Sequence, residues 1–145
     1  NDIRSYRRPL DFEEAVDAAA SIGSAIVQAG LPVSLRTTGE DAGVEVLRVE
    51  DITRLLDALA LSDPRELKVS PPALRQVLLA TRSTSFFLIT GPNTGLIPSA
   101  IAALGLVGEG TIVRMGQEGG LSRPRRGLVF RDVMRCDDLA TPGRP

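Results

Sequence analysis

The stretch from Asp11 to Leu35, DFEEAVDAAASIGSAIVQAGLPVSL, constrains the fold of this chain most. Its apolar residues recur at intervals of three and four, a spacing that predicts a helix with one apolar stripe. Gly30 can adopt the left-handed conformation that ends such a helix, and Pro32 then opens a strand from Val33 to Arg36. We expect this strand to be buried on both sides. A helix that leads directly into such a strand is typical of a layered α/β sheet. The stripe comprises Phe12, Ala15, Val16, Ala19, Ile22, Gly23, Ile26 and Val27.

Acidic residues mark the start of this helix. Asp11 is predicted to cap it while Glu14, three residues on, reaches back to the N–H of the cap, the arrangement called a capping box. Together with Glu13 and Asp17 they lie at the positive end of the helix dipole, where negative charge is stabilising. Capping explains this acidic cluster better than a bound metal ion does.

The rest of the chain alternates strands and helices. Valines after the turn Thr38–Gly43 predict a hairpin whose second strand, near Val44–Val49, is antiparallel. Asp51 is the expected cap of a short helix that ends before Pro64. Further helices are expected from Pro71 and after Gly95. Further strands are predicted at Ser85–Thr90, Thr111–Met115 and Leu128–Val133.

This order of elements predicts an α/β fold built on an open, mostly parallel, doubly wound sheet. Ser85–Thr90, SFFLIT, has four consecutive large apolar residues, as expected of a strand in the middle of a sheet covered on both faces. Only ten residues precede the first helix, so we expect the first strand to be short, disguised or missing. We expect residues 1–145 to form one domain or a fragment of one, with a mobile loop at 116–127 and a tail at 140–145.

Composition excludes several classes of function. The net charge of −1 argues against a nucleic-acid surface. The chain has no histidine, which removes Ser-His and Cys-His nucleophile pairs and most zinc sites. The single cysteine, Cys136, cannot form an internal disulfide, so a reducing, cytoplasmic compartment fits, and any membrane anchor is expected outside this chain. We therefore expect neither an enzyme nor a bound metal or cofactor.

The loop GPNTG, Gly91 to Gly95, lies between a predicted central strand and a predicted helix. Backbone N–H groups at such a helix start can hold an anion. The spacing does not match GxxxxGK[ST], and Leu96 and Ile97 stand where Lys and Ser or Thr are required. A turn with a helix cap at Asn93 or Thr94 is the better interpretation, although open α/β sheets do bind ligands at this edge.

Three segments together resemble a known family: DFEEAVDAAASIGSAIVQAGLPVSL, DITRLLDALALSDP and SFFLITG. They are similar to the C-terminal domain of uncharacterised bacterial proteins encoded beside MoxR-type AAA+ ATPases, a domain similar to the von Willebrand factor A fold. The resemblance spans about Asp11 to Met115 and implies a six-stranded sheet whose first strand is central. It also implies a protein-interaction module that works with an ATPase in complex assembly or cell-envelope maintenance.

The von Willebrand factor A fold often holds Mg²⁺ through a DxSxS motif, a threonine and a later Asp. Here Thr90-Gly91-Pro92 stands where a T-D-G-like turn is expected, and Asn1 to Ser5 lack the D-x-S-x-S spacing. We therefore expect no metal at this position.

Two other functions remain open beside the interaction module. One is a small domain that binds a nucleotide or phosphate ligand through the Gly91–Gly95 loop. The other is a scaffold that forms a homodimer, since a missing central strand would leave backbone groups unpaired. For the interaction module, the expected contact surface comprises Thr37, Thr38, Asp51, Thr53, Thr90, Gly91, Asn93 and Thr94.

Overall fold

The computed structural model describes residues 9–35, 44–46, 48–62, 85–91, 109–116, 121–125, 127–133 and 135. The predicted helices after Pro71 and Gly95 and the predicted tail at 140–145 lie outside these residues. The elements are α1 (Pro9–Gln28), β1 (Val33–Leu35), β2 (Val44–Val46), a 3₁₀ turn (Val49–Asp51), α2 (Ile52–Ala60), β3 (Ser85–Thr90), β4 (Glu109–Met115), β5 (Leu121–Arg125) and β6 (Leu128–Val133).

Four of these strands form one sheet, in the order β3-β4-β6-β5. β3, β4 and β6 run parallel, and β5 pairs antiparallel with β6. Helices combined with a three-strand parallel sheet make this a mixed α/β fold, as the alternation of elements predicts.

β1 and β2 form a separate two-stranded antiparallel sheet, which confirms the predicted hairpin. The expectation that β1 is buried on both sides is wrong. Val33 and Leu35 are half-buried and pack beside the contact between the two helices, whereas Ser34 is exposed. Successive side chains of a strand point to opposite faces, and here only one face of the small sheet is covered.

The start of α1 differs from the predicted capping box. The helix begins at Pro9, whose fixed φ suits the first helical position, so Asp11 lies inside the first turn and not at the cap. Its side chain is buried, with 0% exposure. The acidic residue at the helix start therefore faces the interior of the protein rather than the solvent.

The end of α1 is as predicted. Gly30 has φ of +80°, and its N–H donates to the carbonyl of Val27 at 2.9 Å. The N–H of Leu31 donates to the carbonyl of Ile26 at 3.1 Å. This pair of bonds is a Schellman motif, which satisfies carbonyl groups that the last turn would leave without partners.

α1 has two apolar faces where the sequence predicts one stripe. Ala15 and Ala18 pack with Val113, Met115 and Val133 of the four-stranded sheet. Val27, on the other face, packs with Leu55 and Leu59 of α2. Ala18, absent from the predicted stripe, has 0% exposure. α1 thus separates the large sheet from α2 and the hairpin.

Close contact between the two helices depends on Gly23. A β-carbon at this position would lie 2.6 Å from Cδ2 of Leu55, well inside the sum of the van der Waals radii. Leu55 itself is 1% exposed. A glycine in the middle of α1 therefore makes room for the main apolar side chain of α2.

The segment 116–127, predicted as a mobile loop, contains strand β5. Leu121 pairs with Arg131 and Ser122 with Phe130, and the register then shifts before Arg125 pairs with Leu128. The segment is polar and rich in glycine, so it lacks the apolar alternation from which a strand is predicted. An edge strand can form without that alternation, because its pairing with a neighbouring strand holds it in the sheet.

Candidate functional site

The carboxyl ends of β3, β4 and β6 meet at one edge of the sheet, which we call the carboxyl rim. It comprises Thr90–Gly91, Arg114–Gly116 and Asp132–Val133. Open α/β sheets bind ligands and partners at this edge, because loops and helix starts converge there. The register pairs Thr90 with Arg114 and Arg114 with Asp132, so these three residues form a row across three parallel strands.

Arg114 and Asp132 form a two-pronged ion pair in this row. The Nε–H of Arg114 donates to Oδ1 of Asp132 at 2.5 Å, and an Nη2–H donates to Oδ2 at 2.7 Å. The two side chains are 22% and 11% exposed. A planar guanidinium suits this parallel arrangement, and both hydrogen bonds join ionised groups, which makes them stronger than bonds between neutral groups.

An aromatic ring supports the same guanidinium. Cζ of Arg114 lies 5.2 Å from the centre of the Phe130 ring. The ring face attracts a cation at this distance. Because Phe130 is 7% exposed, it also shields one side of the ion pair from water. Arg114 is thus held by a carboxylate and by an aromatic face at once.

The arrangement has a chemical consequence for ligands. Asp132 offsets the charge of Arg114, and the pair as a whole is close to neutral. An incoming phosphate would have to compete with a carboxylate that is already bound to two N–H groups of Arg114. The row therefore offers polar groups for hydrogen bonding more readily than a cationic site for an anion.

On the opposite face of the sheet, the rim holds a second acidic group. Gly116 follows β4 with φ of +75°, and a β-carbon there would overlap the carboxylate of Asp11. Asp11 comes from the first turn of α1, so this contact sets the start of the helix against the turn after β4. The helix start and the strand end are fixed to one another at this point.

An exposed pair lies at the margin of the rim. Nε of Arg135, just beyond β6, is 3.7 Å from Oε1 of Glu14, and the Arg135 side chain is 71% exposed. Exposed pairs of this kind contribute about 0–1 kcal/mol. Arg135 is therefore available for substitution without a large effect on folding.

The structure describes four of the eight predicted contact residues. Thr90 is 5% exposed and Gly91 is buried beside it at the end of β3. Asp51 and Thr53 lie at the start of α2, where the Asp51 side chain makes no capping hydrogen bond. β1 and β3 belong to different sheets, so the surface as a whole stays a prediction. Thr37, Thr38, Asn93 and Thr94 lie outside the described residues.

Sequence reasoning missed Arg114 and Asp132. Both lie in predicted strands, and each is the penultimate residue of a largely apolar strand. A charged side chain so near the carboxyl end of a buried strand is a signal in its own right, because burial of a charge requires a partner. The partnership itself follows only from the register of β4 against β6.

The described part of the chain can be compared with what a metal site and a membrane span require. Nowhere in those ranges do three His, Cys, Asp or Glu side chains gather where they could hold a metal ion. Neither described α-helix is long and apolar enough to cross a bilayer. The expected absence of a metal or cofactor stays a prediction.

Comparison with known proteins adds no relative: the chain matches no family model, no curated protein and no solved structure.

Proposed function

We propose that this chain is a non-catalytic protein-interaction module of the von Willebrand factor A-like type. Its partner would be a MoxR-type AAA+ ATPase, with which it would act in complex assembly or cell-envelope maintenance. It would act in the cytoplasm. The partner class comes from the resemblance of the sequence segments given above. The mixed α/β fold, with α1 packed on the parallel strands, is compatible with that resemblance.

One observation supports an interaction module over a ligand-binding domain. Arg114 is held by Asp132 through two hydrogen bonds and by the ring of Phe130. A rim whose half-buried cation is already neutralised suits a protein surface, where hydrogen bonds and shape decide recognition. In a phosphate site, by contrast, the cation must be left for the ligand.

The test is direct binding to a purified MoxR-type AAA+ ATPase from the same organism, measured by biolayer interferometry. Arg135→Ala and Glu14→Ala each remove one charge of the exposed pair at the margin of the rim. We expect each to weaken binding at least threefold and the pair together at least tenfold. Glu109→Ala is the matched control, since it removes an exposed charge from the amino end of β4, at the opposite end of the strands from the rim.

The proposal fails if the wild-type protein does not bind the ATPase. The choice of the rim fails if binding is intact in the double variant while circular dichroism shows a native fold. Loss of binding in Glu109→Ala alone would place the contact at the amino ends of the strands instead.

A second candidate function is a small domain that binds a nucleotide or phosphate ligand through the Gly91–Gly95 loop. Gly91 favours it, because a buried glycine at the end of a parallel strand lets a ligand approach the backbone closely. A ligand at a hundredfold excess over its Kd stabilises a protein by about 2.7 kcal/mol. Thermal unfolding with ATP, ADP and inorganic phosphate separates the two functions: a rise of several degrees supports this one, and no shift excludes these three ligands.

A further inference from the structure

Strand β3 lies at one end of the four-stranded sheet, and among the described residues no strand pairs with its outer edge. Its sequence, SFFLIT, contains no charge and no proline. Phe87 is 47% exposed on it. Natural edge strands carry charges, prolines or bulges that prevent pairing with another chain, and β3 has none of these in its sequence.

The opposite edge of the same sheet is different. β5 contains Pro124, which has no N–H to donate, between two charged residues, Arg123 and Arg125. Its pairing with β6 is also irregular between Ser122 and Arg125. These are the features that discourage strand addition. Of the two edges of the sheet as described, only that of β3 is suited to receive a further strand.

The composition of β3 also indicates that a neighbour is needed. Parallel strands with several consecutive large apolar residues normally lie inside a sheet. Phe86 is buried, Leu88 and Ile89 are half-buried, and Phe87 is exposed. A strand with the sequence of an interior strand therefore lies at an edge of the sheet that the described residues form.

We propose that β3 pairs with β3 of a second copy of this chain, antiparallel, about a twofold axis perpendicular to the sheet. Three arguments favour a second copy as the occupant. An uncharged strand meets its own copy without like-charge repulsion. The net charge of −1 gives little repulsion between whole molecules. Because β5 blocks the other edge, addition stops at a closed dimer instead of an open fibre. This inference stands apart from the proposed function.

The twofold axis decides which residues meet. It keeps the face covered by α1 on the same side in both copies, so residues that share that face lie opposite one another. Phe87 and Ile89 share it, since side chains alternate along the strand. Phe87 therefore faces either the second copy's Phe87 or its Ile89, depending on register. A six-residue strand gives about six interstrand hydrogen bonds in such a pair.

The test measures the association state of the full chain by sedimentation velocity over a series of concentrations. Phe87→Lys introduces a charge at a half-exposed position, and circular dichroism checks that the variant is folded. We expect the wild type to dimerise reversibly and the variant to raise the dimer Kd at least tenfold. Leu56→Lys is the matched control, because Leu56 is 41% exposed on α2, and it should leave the dimer unchanged.

A charge-swap mixture sharpens the result. Phe87→Lys and Phe87→Glu should each be monomeric alone, and an equimolar mixture should form a dimer, since opposite charges are then directly opposite or diagonal to each other across the axis, depending on register. In the wild type, hydrogen exchange of the β3 amides should slow as protein concentration rises. This second measurement does not depend on any variant folding.

A monomeric wild type at every concentration overturns the proposal. If its β3 amides are also protected, another segment of the same chain covers the edge. A dimer that Phe87→Lys leaves intact, or that Leu56→Lys abolishes, overturns it as well and places the interface elsewhere.

Discussion

Arg114 and Asp132 stand directly opposite each other on neighbouring parallel strands, and the guanidinium donates two hydrogen bonds to the carboxylate. Like charges or a single charge at such a position would be destabilising, because the two side chains are largely buried. The pair therefore links β4 to β6 at the carboxyl rim, and its two charges lie opposite each other in the register observed for these strands.

We expect Arg114→Ala to lower the free energy of unfolding by about 2–3 kcal/mol, since it leaves Asp132 without the partner of its buried charge. The value is below that of a fully buried pair because some solvent reaches Arg114. Asp132→Ala should have a similar effect. The double variant should lose about 1–2 kcal/mol less than the sum of the two. Urea denaturation measures all three, and strictly additive losses would mean that the ion pair contributes little.

Phe130 is expected to stabilise the guanidinium as well as fill space. Phe130→Leu should destabilise the wild type by more than it destabilises Arg114→Met, which keeps a long side chain without the charge. The difference should be about 0.5–1 kcal/mol, the range for a cation over an aromatic face. Equal losses in the two backgrounds would show that Phe130 acts through packing alone.

Gly116→Ala should be far more damaging than Gly30→Ala, although both glycines have φ near +80°. Gly30 has open space where a β-carbon would lie, so only backbone strain of about 1–2 kcal/mol applies. At Gly116 the new methyl group also meets the carboxylate of Asp11. We expect a further loss of about 1–3 kcal/mol, the range for overpacking. Thermal unfolding of the two variants tests this, and equal losses would contradict the contact.

The effect of Gly23→Ala on the free energy of unfolding should change sign when Leu55 is also replaced by alanine. In the wild type the methyl group forces Leu55 to move, and overpacking of about 1–3 kcal/mol outweighs the gain in helix propensity of about 1 kcal/mol. In a Leu55→Ala background the space is open, so the same substitution should stabilise. Chemical denaturation of the four proteins in this cycle decides the matter. A Gly23→Ala variant that stabilises both backgrounds would show that the helices are not in close contact here.

The functional site was only partly accessible from the sequence. Thr90 and Gly91 were predicted because they end a strand whose apolar run is unmistakable. The sequence does not predict the pairing of Arg114 with Asp132, because it depends on the register of β4 against β6. The two residues are 18 positions apart, and no local sequence pattern specifies that register. Asp11 was found but misinterpreted, since a carboxylate at a helix start has the same sequence pattern whether it caps the helix or turns inward.

Local chemistry determined several elements by itself. The end of α1 follows from Gly30, and the hairpin from a turn between two short segments that alternate apolar and polar residues. β3 follows from four consecutive large apolar residues, and β4 and β6 from shorter apolar segments. Each depends on backbone conformations or solvent transfer that nearby residues control. Only the tertiary structure decided that α1 has two packed faces, that β5 is a strand, and that the hairpin forms its own sheet. These outcomes depend on which surfaces, distant in sequence, come into contact. Whether a face of a helix or strand is buried depends on the element that packs against it as well as on its own residues.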